Sequence, residues 1–204
     1  MDDHGNDMRL PPSVHTSRPW RIHALATGFR LEDVWALPTP GGPDDLPRLV
    51  ALLAAGGGTR SSSRAARALW ALRWRLGRLF GWDRADAGLG ARVPTLRDRL
   101  PADLRNAPRG PAVAPFAPLY LTRDEWAAEI ANRTVHGIVH IGWVPDGDGA
   151  HRGEMAVYVR PNGLLGTAYM AAITPFRHLV VYPAMVRDLG RAWRLSQQGA
   201  PSRQ

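Results

Sequence analysis

The chain has 204 residues, a net charge of +8 and no cysteine, which excludes disulfide frameworks, thiolate nucleophiles and cysteine zinc sites. All 26 basic residues are arginine, a bias that accompanies abundant Ala, Gly and Pro; with no RNP-like strand or zinc-finger spacing, the charge gives no case for nucleic acid. No apolar run approaches the ~20 residues of a membrane span, and the polar start MDDHGNDMRL lacks a signal-like apolar stretch, so a cytoplasmic protein is expected.

Residues 1–20 and 196–204 read as flexible tails around one domain, 21–195. Leu31–Leu37 is a short strand, closed by the turn Pro38–Pro43. Asp44 caps a helix to about Ala55, with Pro47 in its first turn and an apolar stripe of Leu46, Leu49, Val50 and Leu53. A second helix, Arg64–Phe80, follows the N-capping serines Ser61, Ser62 and Ser63 and repeats Leu69, Leu72, Leu76 and Leu79 at helical spacing. From Asp83 to Pro118 the chain is rich in Gly and Pro and reads as irregular, with a helical turn or two around Thr95–Asn106.

Leu119–Asn132 is ambiguous. Thr122-Arg123-Asp124-Glu125 matches a capping box and favours a helix, whereas a hairpin turning at Asn132-Arg133 fits the strand that follows. In that strand Val135, Val139, Ile141 and Trp143 alternate with Thr134, His136, Ile138 and His140. After the polar turn 145–153, Met155, Val157 and Val159 alternate with Ala156, Tyr158 and Arg160 in an antiparallel partner. A long helix from about Leu164 to Arg194 should be kinked by Pro175 and Pro183.

The run NRTVHGIVHIGWVP, followed by GEMAVYVRPNGLLGTAYMAAITPFRHLVVYPAM, resembles a bacterial domain of unknown function (family 2867) in the START-like, or SRPBCC, superfamily. The DVWALPTP start and the helix ending GRLFGWD extend the resemblance from about Asp33 to Arg194. The resemblance implies an α+β helix-grip fold, an antiparallel sheet wrapped around a long C-terminal helix. It also implies a strand over Asp124–Ile130 leading into a turn at Asn132, against the local capping signal. Relatives occur alone or behind epimerase-like domains; lacking G-x-G-x-x-G after an N-terminal strand, this chain resembles the stand-alone form and is expected to need no cofactor. The family brings no established catalytic residues.

His136 and His140 are the first candidates for chemistry. On a strand, four residues span ~13 Å, too far for one metal. They share the more polar strand face, which is expected to be convex and solvated, with both rings at the surface or at a subunit contact. Were that face to line the cavity, a histidine paired with Glu129 or Tyr158 would supply acid–base chemistry. Asp146, Asp148 and His151 lack the remaining ligands of a calcium loop, so no metal is expected. Trp70 and Trp74 with Arg67, Arg73, Arg75 and Arg78 suit either a packed helix or weak membrane-surface association.

The expected pocket is apolar and lies between the strands and the C-terminal helix. Its lining would be Trp35, Val135, Val139, Ile141, Trp143, Met155, Val157, Tyr169, Ala172 and Phe176. The function expected is binding or carrying a hydrophobic small molecule of lipid, polyketide or isoprenoid type. A cyclase- or hydrolase-type enzyme is the second reading and a membrane-peripheral module the third. A homodimer is compatible with each.

Overall fold

A computed structural model describes residues 8–56, 89–90, 93–132 and 134–198, without the side chains of Leu165, Tyr169, Ile173 and Phe176. The predicted Arg64–Phe80 helix, with Trp70 and Trp74, lies outside the described residues.

Five strands form one antiparallel sheet: β1 (Arg30–Ala36), β2 (Ala117–Leu121), β3 (Glu125–Ala131), β4 (Val135–Pro145) and β5 (His151–Pro161). Their order is β1-β5-β4-β3-β2. The β4–β5 hairpin is paired over its full length, from Val135 opposite Pro161 to Pro145 opposite His151. Positive φ at Gly147, Asp148 and Gly149 reverses the chain at its tip.

Residues 125–131 are a strand, as the family resemblance implied and the capping box did not. The capping residues close a strand turn instead. The Thr122 hydroxyl accepts from the Glu125 amide at 3.0 Å, and the Thr122 amide donates to the Glu125 carbonyl at 2.8 Å. At the next turn the Asn132 side-chain oxygen accepts from the amides of Thr134 and Val135 at 2.9 and 3.0 Å.

After β5 the chain runs through a helix, Gly163–Phe176, a π-helical turn, Arg177–Val181, and a last helix, Tyr182–Gln198. The architecture is α+β and consistent with a helix grip. Pro175 and Pro183, expected to kink one helix, instead bracket the π turn. Neither proline can donate to the carbonyl four residues back, and the wider turn lies where the regular ladder is interrupted. None of the described helices is long and apolar enough to cross a membrane.

Both sheet faces are covered. On one, Trp35, Trp126, Ile141, Trp143 and Met155 pack against Val186, Leu189 and Trp193 of the last helix and against Leu46, Leu49 and Val50 of the Leu46–Ala54 helix. On the other, Ala127, Ile138, Val144, Ala156 and Tyr158 pack against Trp20, Ile22 and Leu25 and against Leu96, Leu100 and Leu104. The last three come from a 3-10 turn, Leu96–Arg99, and one helical turn, Ala102–Arg105, in the stretch read as irregular.

Residues 8–20, read as part of a tail, are built into the fold: residues 8–10 run along β1, with Met8 packed on the first face, and Leu10, His15 and Trp20 belong to this second layer. The Leu10 amide donates to the Val34 carbonyl at 2.8 Å, and the Ala36 amide to the Met8 carbonyl at 2.7 Å. His15 and Trp20 are buried. Gly142 makes room for Trp20, because a Cβ there would lie 2.5 Å from the indole.

Candidate functional site

His136 and His140, expected at the convex surface, are both buried to 0% exposure. The correction has a simple cause. Segments 8–26 and 93–107 roof the polar face, and β3 supplies carboxylates to meet the rings. Glu129 lies opposite Ile138 and Glu125 opposite Gly142, so each is one diagonal step from a histidine.

The first pair is His136 with Glu129, Nε2 to Oε2 at 2.8 Å. The guanidinium of Arg160 lies 3.4 Å from His136 Nδ1. A guanidinium can only donate, so Nδ1 accepts and Nε2 carries the proton that Glu129 receives. Glu129 also accepts from the Thr95 hydroxyl and from the Leu96 amide at 3.1 Å.

The second pair is His140 with Glu125, at 3.1 Å. Glu125 accepts further from the Tyr120 hydroxyl at 3.0 Å and from the amides of Arg21 and Ile22 at 2.9 and 3.3 Å. Burial holds the His140 pKa below its ordinary value, so the ring is neutral. Burial is the largest influence on Glu125 and pushes its pKa upward, but His140, the Arg21 amide and the Tyr120 hydroxyl together outweigh it and the carboxyl stays below its usual range. Burial first, then the Glu125 charge, raises the Tyr120 and Tyr158 hydroxyls.

A chain of hydrogen bonds runs alongside. His15 Nδ1 lies 2.8 Å from Glu154 Oε1, His15 Nε2 2.9 Å from the Tyr158 hydroxyl, that hydroxyl 3.1 Å from His23 Nδ1, and His23 Nε2 3.0 Å from the Arg18 carbonyl. Glu154 is a carboxylate: burial is the largest influence and pushes its pKa up, but His15, Arg18 and Arg152 together outweigh it and hold it low. Both ends of the chain therefore accept, and Tyr158 has one proton to give between two rings. Arg18 adds a cation 3.6 Å from Glu154. Buried at the same cluster, His140 Nδ1, Glu154 Oε2, Arg18 Nε and Trp20 Nε1 have no hydrogen-bond partner among the described residues.

The opposite face carries the expected apolar lining. Trp35, Ile141, Trp143 and Met155 are buried together there, while Val135, Val139 and Val157 are only partly buried. Ala172 is exposed, so it does not join them. Tyr169 and Phe176 lie in the Gly163–Phe176 helix, their side chains outside those described.

Val139 pairs with Val157, and Val157 pairs with Asp33 on β1. Asp33 is the buried anchor of a second polar group that the sequence did not single out. Its carboxylate binds the Arg177 guanidinium and His178 Nε2, both from the π turn, and lies 3.6 Å from Arg9. Tyr182 packs on Trp35 at 5.3 Å and stacks beside His178 at 6.4 Å, ring centre to ring centre. Desolvation lowers the Arg177 pKa, but the Tyr182 and Asp33 charges more than offset it, so the pKa rises. His178 retains 22% side-chain exposure and Arg177 12%. Among the described residues no three His, Asp or Glu side chains are grouped to hold a metal ion.

A two-sided antiparallel sheet, gripped on one face by a broken C-terminal helix and on the other by a network of buried acids and bases, defines the class as α+β with a helix-grip arrangement. The family described as "Protein of unknown function (DUF2867)" matches residues 25–184, and the chain belongs to it. No curated protein and no solved structure matches the chain.

Proposed function

We propose that the protein binds a small molecule with an apolar body and a polar end, of lipid, polyketide or isoprenoid type, beneath the broken C-terminal helix. One observation carries this reading. The partly buried valine strip on an otherwise packed sheet face ends, by strand register, at the carboxylate that holds Arg177 and His178. Val139 and Val157 offer apolar surface, and the two partly exposed π-turn side chains offer donors to the end group. A START-like cavity would occupy the same place in the fold.

Native mass spectrometry of freshly purified protein, with extraction of co-purified small molecules, tests the reading. The expected result is an apolar adduct that Val157→Trp removes while the fold survives. Absence of an adduct, together with no saturable binding of fatty acid, polyketide or prenyl probes, would reject it.

A second reading, a cyclase- or hydrolase-type enzyme, is favoured by the His178–Asp33 pair. An imidazole oriented by a buried carboxylate is the arrangement of a general base. In that case His178→Gln would abolish turnover of the extracted molecule and leave its binding in place.

A further inference from the structure

Where β5 ends and the Gly163–Phe176 helix begins, a surface groove of about 450 Å³ is lined by Val93, Pro94, Arg160, Pro161, Asn162 and Gly163. Among the described residues of this lining, Arg160 carries the one charged side chain. Among the described residues no carboxylate forms an ion pair with it. Its guanidinium is nonetheless held in place. The Cζ atom sits 5.0 Å over the Phe29 ring, and one amino group donates to His136 Nδ1 at 3.4 Å.

That acceptor is fixed from behind. His136 donates a hydrogen bond from Nε2–H to Glu129, which leaves the Nδ1 lone pair facing Arg160. Glu129 also receives the Leu96 amide and the Thr95 hydroxyl. These residues follow Val93 and Pro94, so one buried carboxylate sets both the arginine and the facing wall of the groove. The remaining guanidinium donors form a planar fork that no carboxylate among the described residues meets, at the edge of a concavity. The same rim starts a fourteen-residue helix, whose amino end adds partial positive charge.

We propose that this groove binds the oxyanion group of a small metabolite, a phosphate or a carboxylate, through the Arg160 fork. The site lies on the opposite sheet face from the Asp33 cluster and does not depend on the function proposed above.

NMR titration of the full chain with inorganic phosphate and, separately, with benzoate tests it. The Arg160 Nε–H and Gly163 amide signals should shift saturably with at least one probe, and which probe acts separates the two oxyanions. Arg160→Gln should weaken binding at least roughly tenfold, as loss of a charge-assisted hydrogen bond does. Pro94→Glu, which leaves the supports of Arg160 intact and sets an anion on the facing wall, should weaken it as much even if Arg160→Gln folds poorly. Arg123→Gln, at an exposed arginine on the β2–β3 turn, should change nothing. No saturable shift with either probe, unaltered binding in Pro94→Glu, or an equal loss in Arg123→Gln would overturn the proposal.

Discussion

The ring of His15 stands edge to face against that of His140, 5.1 Å between centres, and each ring is bound to a different carboxylate, Glu154 and Glu125. Two imidazoles this close in a dry layer cannot both be charged without cost. The arrangement therefore ties the stability of the N-terminal segment to proton uptake.

Stability should fall on acidification in two stages. Burial lowers the His140 pKa, so the neutral ring contributes fully above the unfolded value of ~6.5 and the contribution is lost as pH falls below it. Glu125 and Glu154 are also lowered; their contribution is in place above the unfolded value of ~4.3 and drains away as pH drops toward the folded ones. Urea unfolding between pH 8 and about pH 2 should show a slope of up to about 1.4 kcal/mol per pH unit for each proton taken up on unfolding. His140→Gln should flatten the upper stage, and an unchanged slope there would assign it to another group.

Tyr158→Phe removes the hydroxyl that bridges His15 Nε2 and His23 Nδ1 at 2.9 and 3.1 Å and takes that partner from the buried His15 ring. Leaving a buried polar atom unsatisfied costs ~1–3 kcal/mol. Urea unfolding of the variant should show a loss in that range, and an unchanged midpoint would mean that the hydroxyl does not bridge the two rings.

Asp33→Asn should loosen the π turn. It removes the buried negative charge facing Arg177, His178 and Arg9. Breaking a buried pair costs ~3–5 kcal/mol, and the residual exposure of the cations puts this case at the lower end, about 3 kcal/mol. Amide exchange over residues 177–181 should accelerate more than elsewhere. A loss under about 0.5 kcal/mol, the surface range, would mean that Asp33 does not anchor the turn.

Gly166→Ala should destabilise the protein although alanine is the better helix former. Its Cβ would fall 2.1 Å from the Thr134 carbonyl oxygen, a backbone atom that also accepts the Asn162 amide at 2.8 Å. Overpacking of this kind costs ~1–3 kcal/mol. Early loss of exchange protection at Asn162, together with a lower melting temperature, is the expected signature; a raised melting temperature would show that the helix can ride outward freely.

The strands were legible because β4 and β5 alternate cleanly and are separated by turn residues. Which face was solvated was not. His136 and His140 alternate with apolar neighbours just as surface residues on a one-sided sheet would. They differ only in having Glu129 and Glu125 a diagonal step away, a relation that exists once the register is known. His15 carried no local signal, since its partner Glu154 is 139 residues further along the chain. Asp33 read as an ordinary strand residue, and its role depends on a π turn for which the two prolines gave only the position. The capping box at Thr122 shows the converse: a real local interaction, correctly paired, that closes a hairpin instead of starting a helix.

The family match starts at residue 25, so Glu125, Glu154 and Tyr158 lie inside it and His15, Arg18 and Trp20 precede it. Glu154 and two of the bases that hold its pKa down, His15 and Arg18, therefore lie on opposite sides of that boundary, while Arg152 lies inside it. A relative whose preceding segment brings no base to this spot has less to offset the burial of an ionised side chain at the position of Glu154. Across such relatives, positions 15 and 154 should change in concert, with a bulky aromatic at position 20 accompanied by glycine at position 142.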